Sequence, residues 1–567
     1  MKTPGFVAAG LILALTLTAG GISGYIAIST LPNEPQATET RGPQAGNSPL
    51  ANSGIPVEDT HIPPPEPSYI IVDSFHSVDS VASLVLQEIF PVKAFSSKGF
   101  HPISAAELHE ARHHDELMHP RLGPAPESLH FTPSLSSFNW KQLGTGSGPT
   151  LLIIGGIQGD EPGGFSAAAL ISTQYRITSG SVWVVPDLNF ASIIKRSRGL
   201  FGDMNRKFAQ LDPKDPEFAI VERVKSILLD NRVDLILNLH DGSGFYRPTH
   251  EGPLYNPARW GQSVIIDQEE MEHPRFGSLH AMARTATEDA NKALLKPAHK
   301  YHIHNTRTKL GDKEMEKSLS WFAVRSGKPA FGVEASKEFG TDQRAYYHVL
   351  IIESFMRQMG IEFERKFELS PKGVLAALNS DLMLSAFGNK LLLPLDDARA
   401  SLANLPFKKG GEPEVRSTKP LLTLVRDKSE WRVAYGNRTL TKLTPAFMDF
   451  DESLETVDMQ LDGEAYTINI GEMVSVKESF MVRDMEGYRV NAIGARKEIN
   501  GNEAEVLLVK NDFLPRYSMD KSATTFRVEI YKDKAFAGMI LVRFGDGPPS
   551  SGDPLTATKG PESELGF

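Results

Sequence analysis

Gln158 and Glu161 stand three residues apart in Leu151–Phe165, LLIIGGIQGDEPGGF. That spacing can bring an amide oxygen and a carboxylate onto one cation. His240 lies where the apolar run DLILNL gives way to a glycine-bearing HDGSG. A histidine alone in such a place is more often a packed or capping residue. Joined to a Gln-x-x-Glu from a neighbouring strand, it completes a three-ligand cation site. Three protein ligands with an open fourth position is the arrangement of catalytic zinc, whereas a structural site closes with four. Arg196, Arg198, Asn205 and Arg206 occur together in KRSRGLFGDMNRKF. Guanidinium groups beside a metal suit a two-pronged carboxylate clamp and an oxyanion stabiliser. The flanking Lys195 and Lys207 read as a solvated basic loop. Glu334 ends the run PAFGVE, and a carboxylate closing a buried strand is costly unless it has a partner such as an activated water.

These side chains need elements that bring them together. TLLII before Gly155 and Gly156 reads as a buried strand meeting a tight turn, after which Pro162 breaks the chain and FSAAALIST begins a helix. SVWVV (Ser181–Val185), DLILNL (Asp234–Leu239) and PAFGVE (Pro329–Glu334) read as central strands. EFAIVERVKSILL and YYHVLIIESFMRQM read as amphipathic helices. The alternation predicts an α/β domain with helices on both faces of its sheet. Polar residues at the C-terminal ends of such strands sit where open α/β sheets build their sites.

The chain has 567 residues, a net charge of −10 and no cysteine. The length exceeds a single core and predicts roughly three or four domains. The acidic balance argues against nucleic acid as a partner, and the absence of cysteine excludes disulfides, thiol catalysis and cysteine-ligated zinc. Residues 1–30, with the apolar stretch FVAAGLILALTLTAGG, read as a signal peptide or signal anchor, which would put the remainder outside the cytoplasm. Residues 31–68 read as a disordered Pro-rich linker. Ordered sequence is expected to resume at Tyr69 and to include a helix over Ser77–Ile89. His109, His113, His114 and His119 follow, and read as a solvated or packed helix face. The site-bearing domain is bounded at 69–366. Beyond it, runs such as LLTLV, WRVAY, YTINI, FRVEIY and MILVRF between turn signals predict small antiparallel β domains at 367–462 and 463–545, then a disordered tail at 546–567.

The order Gln-x-x-Glu, then Arg and Asn-Arg, then His after a strand, then Glu ending a later strand, resembles the carboxypeptidase A-like (funnelin) metallopeptidases. Gln158 departs from most of that family, which carries His there. The GIQGDEPGG context is similar to one branch, the murein tripeptide DL-carboxypeptidases that determine cell shape in helical bacteria. The resemblance covers about residues 150–360. It implies a carboxypeptidase-like mixed sheet with β-sandwich-like modules after it. It further implies that Gln158, Glu161 and His240 bind zinc and that Glu334 is the general base. Arg198 would stabilise the oxyanion, Asn205 and Arg206 would hold the substrate's terminal carboxylate, and Trp260 would line the substrate site.

Two functions are compatible with these features. The first is a zinc carboxypeptidase that trims peptidoglycan stem peptides outside the cytoplasm and releases meso-diaminopimelate. The second is a non-catalytic wall-binding or scaffold protein on the same fold. In either case muropeptides are the expected ligand, with cell-wall protein partners reached through the β domains.

Overall fold

In the computed structural model, which describes residues 9–18, 21–30, 69–72, 131–427, 430–497 and 501–545, the apolar runs become strands buried along their whole length. Strand β1 spans Lys141–Gly144, β2 Thr150–Ile154, β3 Ser181–Val185 and β4 Leu235–Gly242. Strand β5 spans Ser263–Ile266, β6 His302–Asn305 and β7 Ala330–Ser336. Together they form one seven-stranded sheet in the order β6-β5-β7-β4-β2-β3-β1. The central strands β7, β4, β2 and β3 are parallel. Strand β1 runs against β3, and β5 against β7. The sheet is therefore mixed, as expected.

A strand with no exposed residue needs cover on both faces. The helices are α1 (Pro162–Gln174), α2 (Phe190–Lys195), α3 (Phe218–Leu228), α4 (Leu279–Asn291), α5 (Leu319–Arg325), α6 (Thr341–Met359) and α7 (Pro371–Asn379). Helix α6 packs against α1, α4 and α7, while α5 lies on β4 and β7. Helix α7 buries Val374, Ala377 and Leu378 in the same core as the sheet, so that core continues past residue 366.

The turn after β2 depends on its glycines. A Cβ on Gly159 would lie 2.1 Å from the carbonyl of Ser192 in α2. A Cβ on Gly164 would lie 2.8 Å from the carbonyl oxygen of Leu239 in β4. The first contact presses the turn onto α2, and the second lets α1 seat directly on β4. The backbone N–H of Gly163 then donates to Asp241 Oδ2 at 2.8 Å, which pins the start of α1 to the end of β4.

Two β modules follow. The strand Thr456–Leu461 forms a hairpin with Glu464–Asn469. The boundary anticipated at 462 thus falls in a tight turn within one sheet, because Asp462-Gly463 closes a hairpin instead of separating domains. The expectation of purely antiparallel sheets also needs correction. Ser401–Lys408 pairs in parallel with Arg438–Met448, and Met473–Val476 with Ala535–Phe544. In each case other strands intervene, so the closing strand returns in the same direction. The first module shares a core with the α/β domain, where Phe165, Phe190 and Ile193 meet Leu382, Leu392 and Tyr435.

The chain divides into two units, residues 1–105 and 106–567. In the first, Ala9–Thr18, Gly21–Thr30 and Tyr69–Val72 pair as antiparallel strands. The linker at 31–68, the expected helix at Ser77–Ile89, the His109–His119 cluster and the tail at 546–567 lie outside the described residues. Among the described residues no helix is long and apolar enough to cross a membrane.

A methyl group at Gly159 has no space unless the turn separates from α2, and overpacking of this kind costs about 1–3 kcal/mol or more. Gly159→Ala should therefore lower the denaturant midpoint at unchanged slope. An unaltered midpoint would show that the turn is not held against α2.

Candidate active site

The parallel register of β4 and β7 places Glu334 beside His240, at the ends of adjacent strands. The turn after β2 brings Gln158 and Glu161 to the same point. His240 Nδ1 is 2.9 Å from Glu161 Oε2 and 3.1 Å from Gln158 Oε1. All three side chains are buried. Donors 2.0–2.1 Å from a tetrahedral zinc are roughly 3.3 Å from one another, so these separations come close to the edges of such a site.

An amide offers an oxygen and a nitrogen, and only the oxygen is a ligand. Gln158 Nε2 donates to Asp203 Oδ1 at 2.7 Å, which turns Oε1 toward His240. The other oxygen of the same carboxylate, Asp203 Oδ2, accepts from Arg198 Nε at 3.0 Å. Arg198 Nη1 in turn reaches Glu161 Oε1 at 3.4 Å. Asp203 thus aims both the amide and the guanidinium. The donor set of one amide oxygen, one carboxylate and one imidazole fits zinc with an open position. Among the described residues no three His, Cys, Asp or Glu side chains cluster as a metal site; the amide oxygen of Gln158 is the third donor atom beside Glu161 and His240.

Electrostatics fit the same assignment. Burial favours the neutral imidazole of His240, but contact with Glu161 outweighs it and holds the pKa above its ordinary value. A cation at Nδ1 would displace that proton. Burial pushes the Glu334 carboxyl up to about 8, with Glu161 and Asp241 adding to the effect and His240 opposing it. Glu334 Oε2 is buried without a hydrogen-bond partner. A carboxyl so placed is poised to exchange a proton near neutral pH.

Asn205 and Arg206 follow Asp203 in a single 3₁₀ turn capped by the Asp203 side chain. Asn205 Oδ1 accepts from the backbone N–H of Leu319 at 3.0 Å, so its Nδ2 is the inward donor. Arg206 Nη1 donates to the Asn205 carbonyl at 2.9 Å. Trp260 stacks obliquely on His304, with ring centres 4.7 Å apart. Gln158, Glu161, Arg198, Asn205, Arg206, His240, Trp260 and Glu334 all line one cavity of about 300 Å³, whereas Arg196, grouped with them in the sequence, turns away and donates to the Asn437 carbonyl.

Two further residues of this site were not legible in the sequence. Asp203 sits inside a loop read for its basic residues. Lys337, three positions after Glu334, has Nζ 3.0 Å from Asp160 Oδ2 and 3.5 Å from Glu161 Oε1. Its spacing from Glu334 was the available signal.

The family described as "Carboxypeptidase controlling helical cell shape catalytic" matches residues 139–379, and "C-terminal domain of metallo-carboxypeptidase" matches 450–545. Among solved structures, apo cell shape determinant protein Csd4 from Helicobacter pylori is 40% identical, with a TM-score of 0.69 over 72% of this chain and 100% of that one. Its tripeptide-bound form gives a TM-score of 0.68 at the same identity and coverage. Its mDAP-bound form, a D,L-carboxypeptidase, is 42% identical with a TM-score of 0.67, over 70% of this chain and 97% of that one. No curated protein matches.

Removing a group that orients a metal ligand typically costs 10–100-fold in metal affinity. Asp203→Ala should weaken zinc binding by about that factor in a competitive chelator titration. Unchanged affinity would show that the amide is aimed by something else. A second expectation concerns pH. A carboxyl raised in the folded state destabilises that state as pH rises from its unfolded value toward about 8. Metal-stripped protein should lose stability across roughly pH 5–8, and Glu334→Gln should flatten the decline. Parallel curves for the two proteins would contradict the assignment.

Proposed function

Because the chain belongs to the family of carboxypeptidases that control helical cell shape, we propose that it is a zinc-dependent D,L-carboxypeptidase. It trims peptidoglycan stem peptides, taking the murein tripeptide to a dipeptide and releasing meso-diaminopimelate. The observation that carries this reading is the convergence of Gln158, Glu161, His240, Glu334, Arg198, Asn205 and Arg206 on one cavity. The tripeptide and the mDAP bound to the Helicobacter pylori protein support the substrate class.

Gln158 Oε1, a Glu161 oxygen and His240 Nδ1 would hold the zinc, which when bound polarises the scissile carbonyl and acidifies water. Arg206 grips the substrate's terminal carboxylate, with Asn205 Nδ2 as a second donor, and so sets the register of the peptide. Glu334 takes a proton from the attacking water and delivers it to the departing amine. Arg198, held by Asp203 and Glu161, donates to the carbonyl oxygen as its charge grows. Loss of one such donor typically costs ~10²–10³ in rate. Trp260 forms a wall of the cavity against which the peptide lies. A non-catalytic scaffold would not require Glu334, Arg198 and Arg206 around three donors, and no observation favours it.

The enzyme acts outside the cytoplasm, where its substrate is, and the uncharged stretch from Thr3 to Thr30, with its apolar core FVAAGLILALTLTAGG, is suited to direct export. The β modules are left to dock cell-wall protein partners.

Purified protein given the free tripeptide should release diaminopimelate, read by mass. The same tripeptide amidated at its C-terminus should not be cleaved. Equal rates on the two would refute an exopeptidase. Arg206→Lys replaces a two-pronged clamp by a point charge. It should lower kcat/KM by ~10²-fold with zinc content unchanged, and a normal rate would remove Arg206 from the clamp.

A further inference from the structure

Beneath the row of reactive groups lies a second row whose chemistry is unused. Strand side chains alternate, so residues two apart share a face. Asn238 is two before His240, and Gly332 two before Glu334. The register pairs Asn238 with Gly332, and Gly332 with Ile265. These three positions therefore repeat, one step deeper, the row His240, Glu334 and Ser263. All three line the catalytic cavity, together with Met315 and Ser320.

Asn238 is the exceptional member. It is 2% exposed, and its Oδ1 is buried with no hydrogen-bond partner. Among the described residues no side chain or backbone group bonds to its Nδ2 either. Leaving a buried acceptor unsatisfied costs about 1–3 kcal/mol, so a leucine of similar size would serve the fold better. Gly332 beside it carries no side chain, and a Cβ there would already lie 3.2 Å from Ile265. The space next to the amide is thereby kept open.

We propose that Asn238 is a specificity-determining residue that reads the zwitterionic end of the departing residue's side chain. The inference rests on the carboxypeptidase reading above. When the α-carboxylate of diaminopimelate is clamped and its α-nitrogen is in the scissile bond, its side chain ends in a carbon bearing both ammonium and carboxylate. An amide offers one acceptor and one donor, a match for that pair. Asn238, Gly332, Ile265, Met315 and Ser320 are all uncharged. A net-neutral zwitterion enters such a floor with its charges mutually compensated, whereas a lysine side chain would bring an unpaired ammonium at high cost.

The test uses full-length zinc-loaded protein and three tripeptides that differ only in the last residue: meso-diaminopimelate, L-lysine or L-norleucine. Asn238→Leu should lower kcat/KM on the first by about 10²-fold, since a site built for polar groups rejects poorly when they are gone. The rate on the norleucine peptide should hold or rise. Asn238→Asp should move preference toward the lysine peptide. The denaturation midpoint of Asn238→Leu should equal or exceed that of wild type, because no partner is lost. Equal losses on the diaminopimelate and norleucine peptides, or a fall in the midpoint, would overturn the proposal. If no peptide is cleaved, the carboxypeptidase reading fails and calorimetry with free meso-diaminopimelate and L-norleucine decides. Wild type should then hold the former at least about tenfold tighter, the least that one such hydrogen bond to a charged group supplies, and Asn238→Leu should erase the difference. Equal affinities in wild type would overturn the proposal.

Discussion

A single hydrogen bond governs this site: Gln158 Nε2 to Asp203 Oδ1, at 2.7 Å. A carboxamide can present either end to a cation, and the wrong end repels it. Asp203 removes that ambiguity by accepting from the nitrogen. Its other oxygen holds Arg198, so one carboxylate sets the angle of both the Gln158 amide and the Arg198 guanidinium, the groups proposed as metal donor and oxyanion donor. The backbone of Asn205 also donates to Asp203 Oδ1, at 2.9 Å, which ties the clamp to the same anchor. Displacing Asp203 would therefore loosen Gln158, Arg198 and the Asn205-Arg206 turn together.

That anchor is positioned from behind by the first β module. Phe190 and Ile193 of α2 are buried among its side chains, and Arg196 Nε donates to the Asn437 carbonyl at 2.6 Å. The chain from α2 to Arg206 thus begins on a surface that the catalytic domain shares with its neighbour. Charge is arranged to match. Glu161 is buried between His240, Arg198 and Lys337, and these three groups offset its carboxylate. Buried charge without such compensation is severely destabilising.

Much of this was legible in the sequence. Gln158, Glu161, His240 and Glu334 each sit at the end of an apolar run, where local pattern and site chemistry coincide. Asp203, Lys337 and Asn238 were not read. Asp203 lay among basic residues that drew the functional reading, and Lys337 looked like any solvated lysine beyond a strand. Asn238 sat in an apolar run, and only the cross-strand register shows that its amide faces the cavity and not a helix. The domain boundary at 462 was misplaced because an Asp-Gly turn looks alike within a sheet and between two. The parallel pairs in the β modules join strands far apart in sequence, so no local pattern announces them.

In the proposed site an amide oxygen, a carboxylate and an imidazole hold a metal with one position left open. Anomalous diffraction at the zinc edge from crystals of the zinc-loaded protein tests it most directly. One strong peak is expected within about 2.0–2.2 Å of Gln158 Oε1, a Glu161 oxygen and His240 Nδ1, with Gln158 Nε2 still on Asp203 and a non-protein ligand completing the site. A peak elsewhere, a fourth protein ligand, or Gln158 turned away from the metal would contradict it.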